Sequence, residues 1–585
     1  VPPLPTPTTS APPARSTSTP PPRARLTIAP TATGNYTFAN TLKGNGTLAV
    51  NLANTTDTFT LANNPATSTF NGTLRLDRST FALDAAASTR LANATLSLGT
   101  GNTTTVADGI QTTANLTLDG GSLIYPHTTV PSQTTSAGII STGTLTLASG
   151  TVHINAPDTT ATTPAIPTDA TLLEQDDIVS LALVSATTVN GSASALTLAD
   201  LDGNAITSPR TQGIHQAGDR VATGTYDYSL ATTNGTGSNV LYLNYGLTQA
   251  DILTGKTLTL TERAGATGTA AAMSALITGA GNLDIAARNT VALTRQNTHT
   301  GATTLSTGTL AAGTTDIIAQ SSRITLATGT TFDLQNHNQN VNNLTGSGTV
   351  KLGTASLTAA YTEAATYSGT LIGGTTSHFT KTGSGKLTLT GASADLLGGT
   401  TIADGELALA SIAILGGASS TITVNSAATL SGTGAALGSV TVKTGGIIAP
   451  GNSATAAPGT LTVGNLTLAS GSIIDWQQGD LIEINHLFDI SAMGILVNLD
   501  DYVTGTTVHI AHFGDLLGAS TLADANDYFG LNFAHNAAYR DYTGHFEFTA
   551  DKYLIYTSGA VPEPATIAAL LSAASLAFAL WRRRR

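Results

Sequence analysis

Thr421 to Leu468 reads TITVNSAATLSGTGAALGSVTVKTGGIIAPGNSATAAPGTLTVGNLTL, and its alternation decides the fold. Within it TITV (Thr421–Val424), SVTV (Ser439–Val442) and TLTV (Thr460–Val463) recur at steps of about 18 and 21 residues, a period that signals a solenoid. Period-two alternation places Ile422, Val424, Val440, Val442, Leu461 and Val463 on one face and threonines on the other. The expected wall is apolar inside and hydroxyl-lined outside. A single coil of three short strands cannot bury its apolar side chains. Coils stacked ~4.8 Å apart bury a continuous core and pair nearly every backbone N–H and C=O. Gly445, Gly446 and Gly459, with Asn425 and Asn465, are expected to turn the corners.

The same texture runs outward from Leu26 to about Gly471. The hexapeptide LTLASG occurs verbatim at Leu145–Gly150 and Leu466–Gly471, followed by Thr151-Val152-His153-Ile154 in one case and Ser472-Ile473-Ile474 in the other. The expected fold is all-β, a parallel β-helix over 26–474, and about 20 residues per coil would give roughly 22 coils over on the order of 100 Å. The stretch 157–238 is less periodic and reads as loops or an irregular excursion. Residues 475–558, with Trp476, Phe488, Tyr502, Phe513, Tyr528, Phe529, Tyr539, Phe546 and Tyr553, read as a small β-rich module covering the solenoid's end. Residues 1–25 are proline-rich, expected disordered or polyproline II, and contain neither an initiator Met nor the apolar core of a signal peptide, so the true start is expected upstream.

The segment FTKTGSGKLTLTGASADLLGGTTIADGELAL (Phe379–Leu409) resembles the autotransporter-associated β-strand repeats of bacterial surface proteins: T-G-S-G-x-L-T-L at Thr382–Leu389, G-G-T-T-I at Gly398–Ile402, G-x-L at Gly405–Leu407. A weaker copy lies at Thr278–Leu283, Gly301–Leu305 and Gly308–Leu310, and related phrases occur at Phe332–Val350, Leu430–Ser453 and Leu116–Tyr125. The resemblance implies a right-handed parallel β-helix. It stops short of the membrane β-barrel of true autotransporters, because about 85 residues separate Trp476 from Val561 and even small barrels need eight strands. Self-translocation is not expected.

Residues 559–585 carry a different message. Val561, Pro562, Glu563 and Pro564 precede an uncharged run from Ala565 to Trp581 that includes Ile567, Leu570, Leu571, Leu576, Phe578 and Leu580, followed by Arg582, Arg583, Arg584 and Arg585. About 17 helical residues span roughly 25 Å, close to the ~30 Å hydrocarbon core, and arginine snorkelling covers the shortfall. The reading is a single C-terminal transmembrane helix with its arginine tail in the cytoplasm and the rest outside. The three parts in this order resemble the PEP-CTERM sorting signal of exported bacterial proteins. That resemblance implies a membrane partner, an exosortase-type protease that recognises and cuts near Val561–Pro564. The prolines suit a protease substrate by preventing regular helix there.

The chain of 585 residues has no cysteine, so disulfides and thiolate metal sites are excluded. Its formal charge is −12; without Arg582–Arg585 and Glu563, 20 basic residues face 35 acidic ones, a net −15, which disfavours nucleic acid as a partner. Only 10% of residues are charged, unusual for a compact enzyme.

Catalytic and ligand motifs are sparse. Asp176 and Asp177, within Glu174-Gln175-Asp176-Asp177, would point to opposite faces of a strand and cannot share a groove. Asp200-Leu201-Asp202-Gly203-Asn204 lacks the spacing and distal Glu of an EF-hand and reads as a turn, with Arg210, His215 and Asp219 nearby. Thr382-Gly383-Ser384-Gly385-Lys386 precedes a strand and lacks the phosphate-loop pattern. His337, His509, His512, His535 and His545 have no metal-ligand spacing on a helix. No catalytic residue, metal or cofactor is expected. The function expected is that of a non-enzymatic, exported bacterial surface or extracellular-matrix protein in cell-envelope, adhesion or biofilm and exopolysaccharide organisation, held at the inner membrane before release or transfer outward. Its threonine faces suit polysaccharide, other surface proteins or a purely structural role. The alternative is a carbohydrate-active β-helix enzyme, which would require several carboxylates from different coils lining one groove.

Overall fold

In the computed structural model, which describes residues 24–62, 70–130, 135–156, 178–234, 238–261, 271–451, 458–500, 506–518, 525–537 and 544–557, the alternation becomes stacked parallel strands. The protein is mostly β, a parallel β-solenoid divided into two units. One comprises Val1–Ala161, Val179–Arg210 and Asp227–Tyr245; the other comprises Thr162–Ile178, Thr211–Tyr226 and Gly246–Arg585.

In the second unit each coil feeds three ladders. In the first, Leu387 pairs with Leu407, Leu407 with Leu430, Leu430 with Ile448, Ile448 with Ile474 and Ile474 with Val497. The coils are unequal: that from Leu430 to Ile448 is the shortest of the five and that from Ile448 to Ile474 the longest. The second ladder runs Ser393, Leu415, Ala436, Val463, Ile484. The third runs Phe379, Thr400, Ile422, Val440, Leu466, Phe488. Burying a large apolar side chain fully contributes about 1.5–3 kcal/mol, and every coil supplies several. The residues expected inside, Ile422, Val424, Val440, Val442, Leu461 and Val463, are all buried.

The repeat is phased differently from its sequence appearance. TITV does stack on SVTV, with Thr421 opposite Ser439. SVTV, however, stacks on Asn465–Leu468, which leads into the second LTLASG copy, while TLTV lies over Ala435 and Ala436 in the neighbouring ladder. In Ala435–Val442 and Thr460–Leu468 two ladders share one continuous strand that turns a corner at glycine. A Cβ on Gly438 would stand 2.2 Å from the Ser420 carbonyl oxygen, and one on Gly464 2.1 Å from that of Leu437. Of the corner residues read from sequence, Gly445 has positive φ (73°), whereas Asn465 serves by its side chain, donating to Ser439 Oγ and accepting from the Leu487 N–H.

Past residue 474 the parallel pairing continues through Ile495–Asp500, Thr507–Leu517 and Phe529–Leu531. The solenoid therefore extends into the region read as a separate cover. Among the described residues there, Tyr553–Thr557 reverses direction, pairing antiparallel with both Thr507–Leu517 and His545–Phe548. Phe488, Phe513, Phe529, Phe546 and Phe548 pack beneath with ring centroids 5.7 to 6.3 Å apart.

In the first unit a parallel ladder runs Leu48, Leu74, Leu96, Leu116, Leu145. Its helix Ala85–Leu91 follows from an alanine-rich run capped by Asp84, whose Oδ1 accepts the Ala87 N–H at 2.8 Å. Within 157–238, read as an irregular excursion, the described residues include long strands. Val179–Gly191 pairs parallel with Gly138–Asn155, while its first half pairs antiparallel with residues 240–245. The run Val-Ser-Leu-Ala-Leu-Val at 179–184 has the strand alternation that its charged surroundings obscured. Asp176 and Asp177 lie outside the described residues. Among the described residues no helix is long and apolar enough to cross a membrane. Residues 558–585, including the whole Pro-Glu-Pro motif, apolar run and arginine tail, lie outside them.

Candidate functional site

Strand alternation and parallel register together convert single threonines into rows. On the third ladder of the second unit, Thr358, Thr380, Thr401, Thr423, Thr441 and Thr467 follow one another on successive coils. All six are half-buried, with only ~4.8 Å between neighbouring strands. A second row two residues away runs Ser356, His378, Gly399, Thr421, Ser439, Asn465. His378 Nε2 lies 2.9 Å from Thr401 Oγ1, tying the two rows. The face is neutral, polar and repetitive.

Beneath it, Lys381 points inward at 0% exposure. Its ammonium donates to the carbonyl oxygens of Gly383, Gly385 and Asp404, and burial lowers its pKa. The T-G-S-G turn is thus a cage for a lysine of its own coil. Asp200 in the first unit accepts from the Asn204 backbone and side chain and pairs with Arg210 at 2.9 Å, so the Asp200–Asn204 segment is a pinned turn.

A dense group of titratable side chains lies at the C-terminal end of the second unit. Asp475 faces outward from Ile473–Gln477 and pairs with Asn498, while Gln477 pairs with Asp500. The turn after Phe529–Leu531 adds Asn532 and His535. Asn532 Nδ2 donates to Asn498 Oδ1 at 2.9 Å, and Asn498 Nδ2 donates to Asp475 Oδ1 at 2.7 Å. His535 Nε2 lies 2.9 Å from Asp500 Oδ1. One ligand atom each from Asp475, Asp500 and His535 falls within 4.8 Å of the others. These residues come from three successive turns, so no local motif announces them.

On the adjoining corner a depression of about 580 Å³ is lined by Trp476, Asp480, His509 and Tyr553 among others. Trp476 Nε1 donates to the carbonyl oxygens of Asp480 and His509. Burial pushes the Asp480 carboxyl up to about 6, although it accepts the Gly459 and Gln477 N–H groups. His509 and His512 each pack against the Tyr553 ring at 4.7 Å, and His512 Nδ1 lies 2.7 Å from Glu483 Oε1.

No family model matches the chain. It is related to two proteins of Escherichia coli (strain K12): the uncharacterized protein YuaQ, 35% identical over 325 residues, and the uncharacterized lipoprotein YdeK, 36% identical over 298 residues. The matches take in 54% and 47% of this chain but only 24% and 22% of the relatives, so the chain spans about a quarter of the length of the curated relatives it matches.

Proposed function

We propose that this is a non-enzymatic, exported bacterial surface or matrix protein, a right-handed β-helix sorted through its C-terminal PEP-CTERM-like signal and used in envelope, adhesion or biofilm organisation. The observation that carries the reading is the neutral hydroxyl face repeated on six successive coils, which offers length and surface in place of a pocket. The lipoprotein name of YdeK supports a place in the cell envelope. In this reading Val561–Pro564 are the substrate of an exosortase-type protease, Ala565–Trp581 anchor the intermediate, and Arg582–Arg585 set its orientation.

The test is to express the chain with its native upstream region and a tag before Val561, with and without Pro562→Ala/Glu563→Ala/Pro564→Ala. Wild type should be shortened and outside the cell while the variant stays full length in the inner membrane. Both remaining full length in one membrane fraction would remove the sorting role and leave only an anchor. A second reading, a carbohydrate-active enzyme, is favoured by one observation: the carboxylates of Asp475 and Asp500 come from successive coils and stand within 4.8 Å. Sugar cleavage abolished by Asp475→Asn would select it.

A further inference from the structure

We propose that Asp475, Asp500 and His535 form a divalent-cation site that ties three successive turns of the solenoid together near its C-terminal end. Donor atoms held ~2.1–2.4 Å from one ion stand at most roughly 4.8 Å apart, and the ligand atoms of the two carboxylates and the imidazole meet that limit. The register explains how. Asp475 and Gln477 are two apart on one strand and share its outer face; Gln477 stands beside Asp500 in the ladder, and the next turn brings His535 over Asp500.

Two further observations point to a ligand. Gln477 Oε1 is buried and has no hydrogen-bond partner, an acceptor that a cation would satisfy. Behind Asp475 stands a chain of buried amides, Asn498 at 5% exposure and Asn532 at 9%, which fixes its carboxylate as supporting hydrogen bonds fix metal ligands. The donor set, two carboxylate oxygens and one imidazole nitrogen, suits Mn²⁺ or Zn²⁺ better than Ca²⁺, which prefers oxygen alone. A bound ion would replace the His535–Asp500 hydrogen bond with coordination.

The experiment uses the full chain, freed of metal by chelator, titrated calorimetrically with Mn²⁺, Zn²⁺ and Ca²⁺. One Mn²⁺ or Zn²⁺ per chain is expected, weakened about tenfold or more in Asp500→Asn and in His535→Ala. The pulsed electron spin resonance spectrum of bound Mn²⁺ should show coupling to a histidine nitrogen that His535→Ala removes. His535 lies on an exposed turn, so this variant keeps the test open if an Asp variant fails to fold. No saturable binding, binding unchanged in both variants, or bound Mn²⁺ without nitrogen coupling would overturn the site. Because the readout is ion binding, its failure leaves the sorting and surface reading untouched.

Discussion

The strands between His378 and Pro450 and the parallel strands from Ile473 to Leu531 share one backbone plan yet differ on their outer faces. In the first group the outward positions of the third ladder are Thr380, Thr401, Thr423 and Thr441, and the coils that join Leu387, Leu407, Leu430 and Ile448 are short. In the second, the outer face carries Asp475, Asp500, Glu483 and His512, and the coil from Val497 to its partner Leu531 is longer than any in the first group. A cluster of aromatic rings fills the core there. Pairing and burial demand only the inward side chain and the backbone, so the outward position is free to change chemistry without changing the fold.

The comparison breaks first in the core. Phe379→Ala, in the middle of a ladder, should cost about 3–5 kcal/mol in urea unfolding. Phe548→Ala in the closing antiparallel pair should cost less, since opening at a ladder end relieves the cavity. Equal losses would mean that both groups of coils unfold as one block.

A smaller effect tests the polar end. Asp480 has a folded pKa of about 6 against an unfolded value of ~3.9, so its favourable contribution is complete below ~3.9 and is lost as pH rises through about 6. The stability of Asp480→Asn relative to wild type should therefore improve between pH 4 and pH 7. A pH-independent difference would show that burial does not perturb this carboxyl.

The smallest effect is expected on the hydroxyl face. Thr423→Val with Thr441→Val should move stability by no more than about 0.5 kcal/mol per site while reducing retention in gels containing neutral matrix polysaccharide. Unchanged retention would reduce the row to a product of β propensity.

Which residues point inward was legible from alternation alone, and Val440 or Leu461 could be placed without a structure. Which ladder a strand joins was not, because all three faces use the same Thr/Val/Leu vocabulary: TLTV looks like the successor of SVTV, yet NLTL is. The strands of residues 179–233 were hidden by turn-rich and charged neighbours. The continuation of the solenoid past Trp476 was hidden by a change in composition, charged residues outside and aromatic rings within, that leaves the parallel pairing intact. The Asp475, Asp500 and His535 group depends on the lengths of two unequal coils, one joining Ile474 to Val497 and the next joining Val497 to Leu531, which no pattern in the sequence states.

Those unequal coils carry a consequence for how such a gene can change. Between Leu387 and Val497 the chain length from one coil to the next varies while the ladder stays in register, so the differences are absorbed in the corners. An insertion or deletion of several codons at a corner is then nearly silent, and duplication of a whole coil lengthens the protein without a new solution to folding. One codon gained inside Thr421–Val424 is a different event: it turns Ile422 or Val424 out to water and a threonine into the core.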